Sequence, residues 1–206
     1  MVDSKEYWEG YYTKNPDPFN ESMFARFVSG FLNKGDSLYE LGCGNGRDST
    51  FFGNKGVHVV AFDQCEKELH YLASQNTNPN VHFEPGDFTN LGSRKIVNHI
   101  YSRFTLHSVS EDKETATLAW SFGHLVPGGL IYIEIRGVND DLYGQGEKVG
   151  KDEFVTSHYR RFVVFEDFVK RVESAGFSIL YKLESRGLAP YGEDDPAVIR
   201  VIGRRP

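Results

Sequence analysis

Residues 37–52, SLYELGCGNGRDSTFF, run from an apolar strand through a loop with glycine at every second position into a helix. Glycines at 42, 44 and 46 let the backbone turn sharply and leave no side chain where a ligand must approach the main chain. The dinucleotide fingerprint G-x-G-x-x-G needs a glycine at position 47, which is arginine, and the lysine and hydroxyl of a Walker A loop are absent. Pyrophosphate and triphosphate therefore lose ground as ligands. What stands is Glu40-x-Gly42-x-Gly44-x-Gly46, an acid at the strand end followed by the glycine ladder.

Outward from this stretch, short β-branched or aromatic runs alternate with helix-length segments, the pattern of a mostly parallel α/β sheet. The expected strands are SLYELG (37–42), VHVVAFD (57–63), VHFEPGD (81–87), IVNHIYS (96–102) and LIYIEIR (130–136). FEDFVKRVESAG (165–176) is an amphipathic helix stopped by Gly176. FSILYKLESRG and AVIRVIGRR then read as two strands joined by LAPYGEDDP, too short for a crossover helix, so they are expected to be antiparallel neighbours. The expected fold is α/β: a three-layer, seven-stranded, mostly parallel sheet with one antiparallel edge strand and helices on both faces. Ahead of it, SKEYWEGYY and NESMFARFVSGFLNKG read as two helices separated by the prolines of TKNPDPF, so residues 1–35 form an N-terminal helical lid. The polar, glycine-rich segment 137–157 reads as a long mobile loop over the site.

The 206 residues suit one domain, and a net charge of −6 without a long basic run argues against a nucleic-acid partner. No stretch approaches the roughly 18 apolar residues of a membrane span, and the N-terminus is polar and acidic, unlike a signal peptide, so a cytoplasmic protein with no membrane partner is expected. Cys43 and Cys65 are too few for a disulfide framework and lack zinc-site spacing, so no metal is expected.

The acid and glycine ladder resemble the first motif of class I, Rossmann-like S-adenosylmethionine-dependent methyltransferases, and the strand order resembles theirs over most of the chain. The amino group and sulfonium of that cofactor suit an acid where phosphate would be repelled. Asp63, ending the second strand beside Gln64, stands where a carboxylate can accept from both ribose hydroxyls. Asp87, ending the third, stands where the family places an acid against the adenine amino group, with Phe88 beside the ring. Each is alternatively a helix cap. Three acids at successive strand ends would face one crevice. Trp8, Tyr12 and Phe19 resemble the aromatic N-terminal segment that folds over the cofactor in thiopurine-type small-molecule methyltransferases, or else they form a core stripe.

The fourth strand ends in YSRFTLHSVSE, which puts Ser102, Arg103 and His107 near the crevice. His107 is the first candidate for a general base, with helix capping as the alternative, and His158 and Tyr159 form the second acid/base pair. Arg136, Arg160, Arg161 and Arg186, with Arg103, can clamp an anionic acceptor, or pair with the chain's many acids. YWEGYY, ELGCGNGRDS, YSRFTLHSV and HYRRF together resemble methyltransferases of bacterial capsule and surface-glycan biosynthesis, including those of O-methyl phosphoramidate decoration. The resemblance implies methyl transfer to an oxygen of a small anionic metabolite or glycan precursor. N-methylation of a small amine or thiopurine-like molecule, or a non-catalytic cofactor-binding subunit, are the alternatives.

Overall fold

The computed structural model describes residues 7–11 and 20–206. Residues 7–11 are helical. Next come helix α1 (Met23–Val28) and strand β1 (Ser37–Leu41). Helix α2 (Arg47–Asn54), β2 (His58–Asp63), α3 (Glu66–Gln75), β3 (Val81–Pro85) and β4 (Val97–Arg103) follow. A 3-10 turn (Leu106–Ser108) leads to α4 (Glu111–His124) and β5 (Leu125–Arg136). Three short strands, β6 (Glu147–Gly150), β7 (Glu153–Val155) and β8 (Tyr159–Arg161), precede α5 (Phe165–Ser174), β9 (Ser178–Ser185) and β10 (Val198–Arg204).

The main sheet has seven strands in the order β3-β2-β1-β4-β5-β10-β9. Strands β1 to β5 pair in parallel, and β10 is antiparallel to both β5 and β9. The seven-stranded sheet expected from the sequence is present, and its reversed strand lies one place in from the edge, so that edge is an antiparallel pair. Successive side chains point to opposite faces. Tyr39, Leu41, Ile100, Ile131, Ile133 and Ile135 therefore pack on one face with Leu118 of α4 and Phe168 and Val172 of α5. Leu38, Ala61, Tyr101 and Tyr132 pack on the other with Phe24 of α1, Phe52 of α2 and Leu69 of α3. No helix among the described residues is long and apolar enough to cross a membrane.

The segment expected to be a long loop, 137–157, instead carries β6 and β7, which with β8 just beyond it form a second, three-stranded antiparallel sheet. Its polar sequence hides this because the ladder is built on backbone bonds, with a turn at Asp152 (φ +57°). A small aromatic group, Tyr143, Phe154 and Phe162, with ring centroids 5.3 to 6.0 Å apart, gives it apolar cover. Of the aromatic N-terminal candidates, Tyr12 and Phe19 lie outside the described residues.

Inside the main sheet a polar ladder crosses three strands. Glu134 of β5 has no solvent exposure and stands in register with Arg103 of β4 and Arg200 of β10. Its two oxygens accept from Arg103 Nε at 2.8 Å and Arg200 Nε at 2.7 Å. Replacing Glu134 with alanine would leave two largely buried guanidinium groups without their shared anion, so Glu134→Ala is expected to cost roughly 3–5 kcal/mol. Urea unfolding measures it, and a midpoint close to native would show that the triad contributes little.

Candidate functional site

A cavity of about 700 Å³ opens at the C-terminal ends of β1 to β5, where open α/β sheets hold ligands. Its first half is built by the β1–α2 turn. Gly42, Gly44 and Gly46 have φ of +75°, +55° and +70°, the left-handed region that glycine adopts without strain. At Gly42 a Cβ would also run into Thr105, and at Gly46 it would come within 2.8 Å of the Phe83 ring. The turn is tied to β2: Gly42 N and Cys43 N donate to Phe62 O at 2.8 and 2.9 Å, and Gly44 N donates to Asp63 Oδ2 at 3.0 Å.

Glu40, Asp63, Gln64, Asp87 and Phe88 all line this half. Asp63 Oδ1 also accepts from Cys65 N at 2.9 Å, so each of its oxygens holds one backbone amide and keeps capacity for a second donor. Glu40 is buried and accepts from Ser49 Oγ. Burial, and then the Asp48 carboxylate nearby, push its carboxyl well above the usual range. Asp87 lies two residues past Pro85, the last residue of β3, rather than ending the strand, with Gly86 between. Its Oδ1 accepts from Thr89 N and Oγ1, an Asx-type turn that sets the side chain at the rim. Ser102 does not line the cavity: it is fully buried and shares a hydrogen bond with Thr105 Oγ1, and Thr105 is the hydroxyl residue at the wall.

Asp48, which the sequence reading passed over, is the anchor of this half. It accepts from Ser22 N and Ser22 Oγ, both at 2.7 Å, and from Tyr101 OH at 2.8 Å, tying the start of α1 to α2 and β4. Only its place in the first turn of a helix was visible beforehand.

The second half is aromatic and cationic. Phe104 has φ +56°, a strained conformation for a bulky residue, and such strain concentrates at functional sites. The Arg103 and Arg136 guanidinium groups lie over its ring, 4.4 and 5.4 Å from the centroid, and His107 meets it edge to face at 5.6 Å. His107 is buried, and its Nδ1 has no hydrogen-bond partner among the described residues. Burial, with Arg136 and Arg160 adding repulsion, holds its imidazole well below the ordinary range. His158 packs against Tyr7 and Trp8 with centroids 4.4 and 4.9 Å away, and Ser157 Oγ lies 3.2 Å from its Nδ1. Burial and the same two arginines depress it to about 3. Both rings stay neutral, and both line the cavity, as do Tyr7 and Trp8.

The expected arginine group divides. Arg103, Arg136 and Arg160 line the cavity, whereas Arg161 and Arg186 do not. Arg186 makes a two-pronged pair with Asp141 at 2.6 and 2.8 Å on the exterior, and Arg161 turns inward to Glu114. Arg103 is engaged by Glu134, and Arg136 by Asp140 and Asp194 at 2.8 Å each. Arg160 donates to Thr156 Oγ1 at 2.7 Å and has no carboxylate partner among the described residues. Tyr159 is also outside the cavity wall, directed at Glu153, whose charge adds to burial in raising its hydroxyl. The alternation of β8 explains the split, since His158 and Arg160 share one face and Tyr159 and Arg161 the other.

Residues 38–129 match the methyltransferase domain family. A curated relative, the cypemycin N-terminal methyltransferase of a Streptomyces species, is 28% identical over 130 residues, covering 59% of this chain and 53% of the relative. The match thus spans about half the length of that protein. Among solved structures, the 1,6-didemethyltoxoflavin-N1-methyltransferase of Burkholderia thailandensis, with 1,6-didemethyltoxoflavin and S-adenosylhomocysteine bound, superposes with a TM-score of 0.76 at 17% identity, covering 98% of this chain and 86% of that one. A TehB-like S-adenosylmethionine-dependent methyltransferase of Corynebacterium glutamicum gives a TM-score of 0.68 at 19% identity, with 97% and 96% coverage. The chain has the Rossmann-like fold of class I methyltransferases, and its residues 38–129, the glycine turn included, match the methyltransferase domain family.

Proposed function

We propose that the protein transfers a methyl group from S-adenosylmethionine to an oxygen of a small anionic acceptor. The observation that carries the reading is the uneven charge of one cavity: around the glycine turn Glu40, Asp48, Asp63 and Asp87 outnumber Arg47, whereas at the ends of β4 and β5 and along β8 Arg103, Arg136 and Arg160 stand among aromatic rings with Asp194. S-adenosylmethionine supplies a methyl group already activated by its sulfonium. The acidic half fits that cofactor. Glu40, buried beside Asp48, gains from a cationic amino group, and Asp63 keeps acceptor capacity for ribose hydroxyls. Asp87 and Phe88 sit at the rim for adenine. On the other side, Arg160 offers a guanidinium fork to carboxylate or phosphate oxygens. A phosphate- or phosphoramidate-bearing glycan precursor has that chemistry. Transfer then depends mainly on alignment of the acceptor, because an anionic oxygen has no proton to lose.

Nitrogen as the acceptor atom is the second reading, favoured by the two related proteins named for N-methylation. The fold alone does not decide between them.

Calorimetry is expected to show binding of S-adenosylhomocysteine to the native protein, and no binding at millimolar concentration would end the reading. Asp63→Ala should weaken that binding, each lost charge-assisted hydrogen bond being worth on the order of 1.5–3 kcal/mol before water compensates. Unchanged affinity would mean that Asp63 does not hold the ribose.

Arg160→Ala is expected to raise the acceptor KM by roughly 10- to 100-fold, the equivalent of one charged hydrogen bond, with kcat near native. A fall in kcat at unchanged KM would contradict anion binding at this residue.

His158 also gives the fold an acid limit. Its ring is neutral in the folded protein down to pH about 3 but takes a proton near pH 6.5 once unfolded. Between those values the unfolded state binds more protons, so the stability that His158 contributes is complete above about pH 6.5 and is lost as pH falls toward 3. His158→Gln is expected to flatten this part of the curve of unfolding free energy against pH, and an unchanged slope would show that the ring is not held neutral.

A further inference from the structure

Behind the cationic wall, Arg161 is buried and faces away from the cavity, yet its guanidinium reaches two other elements. Nε donates at 3.2 Å to the carbonyl of Val109, the residue that follows the 3-10 turn carrying His107. Nη2 pairs with Glu114 in the first turn of α4, and Nη1 lies 3.7 Å from Glu111. Glu114 has no solvent exposure, and its second oxygen accepts from Arg171 Nε of α5 at 2.6 Å. One carboxylate between two arginines thus joins β8, the 3-10 turn, α4 and α5. Among the described residues the ladder bonds of β8 run to β7 alone, and the segment's backbone bonds to the end of β5 and the residues after it come at Val163, with Arg136 and Val138.

We propose that Arg161 is a positioning residue for the acceptor half of the site: by bridging Val109 and Glu114 it fixes β8 against the 3-10 turn and so sets where His158 and Arg160 stand relative to His107. An arginine is required because its planar fork donates in two directions at once. A lysine at the same place reaches either the carbonyl or the carboxylate, not both. What the wall does rests on the acceptor reading above, but its geometry is measurable without an acceptor.

His158 is the reporter. Its depression comes from burial, Arg160 and Arg136, so removing the Arg161 charge does not of itself move it, whereas His107 feels that charge directly. The experiment titrates the His158 imidazole by NMR in the native protein, Arg161→Met and Arg161→Lys, with thermal melting and S-adenosylhomocysteine calorimetry on each. The expected result is a His158 pKa that rises in Arg161→Met toward the ordinary value of about 6.5 and rises less in Arg161→Lys, with native affinity for S-adenosylhomocysteine in both. If Arg161→Met fails to fold, Arg161→Lys carries the comparison, since it keeps a positive charge beside Glu114 and Arg171 stays paired to that acid. A His158 that titrates in the folded variants as it does in the native protein overturns the assignment. Failure of the native protein to bind S-adenosylhomocysteine refutes the methyltransferase reading instead and leaves the histidine comparison intact.

Discussion

A carboxylate without access to water has to be met by cations, and Glu134 is such a carboxylate in the middle of the sheet. Arg103 meets it from β4 and Arg200 from β10. The second contact exists only because the last strand returns antiparallel next to β5, bringing Arg200 into register with Glu134. Arg200 then extends the constraint: its Nη2 donates to Leu188 O at 2.7 Å, and its guanidinium lies 5.0 and 5.6 Å from the Phe24 and Phe27 ring centroids. The loop after β9 and helix α1 are thereby held to the same acid. On the other side Arg103 reaches the cavity wall and lies against Phe104. Two arginines on one acid leave a positive excess, and Arg103 carries it to the cavity wall, where Glu40 also feels it.

That arrangement separates charge within one crevice. Glu40, Asp63 and Asp87 come from β1, β2 and the turn after β3, and Arg103 and Arg136 from β4 and β5, so strand order sorts these five; Arg160 comes from the small sheet, and Arg47 and Asp194 each line the side of opposite charge. Neighbours modulate each cation. Arg136 stands between Asp140 and Asp194, and its charge is spent within the chain, whereas the partner of Arg160 among the described residues is a hydroxyl. Of the arginines that line the wall, Arg160 therefore has most to gain from an external anion.

Much of this was legible in the sequence. Buried parallel strands read as short apolar runs, the connection after β9 was too short for a crossover, and the acids at 40, 63 and 87 follow strand ends by simple spacing. All three line the cavity. The acceptor side was less legible because side-chain direction depends on structure that local composition conceals. Residues 158–161 follow a polar, glycine-rich segment, so nothing signalled that they alternate on a strand, and Tyr159 and Arg161 could not be told from His158 and Arg160. Likewise Phe104 takes a left-handed conformation that a phenylalanine rarely adopts, and this presents Thr105 to the cavity while Ser102 stays beneath it. The Ser22–Asp48–Tyr101 cluster joins positions far apart in the chain, and no spacing rule connects them.

The two neutral histidines bear on the chemistry of the wall. Burial and nearby arginines disfavour their protonated forms, and a base whose conjugate acid is destabilised is a weak proton acceptor. A wall of this kind suits an acceptor that arrives without a proton to lose. An anionic oxygen meets that condition outright, whereas a neutral amine attacks through its lone pair and the ammonium formed on methylation then sheds its proton, to water in the absence of a good base in the wall. They differ at Arg160. An anionic oxygen gives its guanidinium the charged partner that no acid among the described residues supplies, whereas an amine leaves it a half-buried cation facing a donor. Desolvation makes the second arrangement the costlier one, and our proposal of an anionic oxygen rests on that difference.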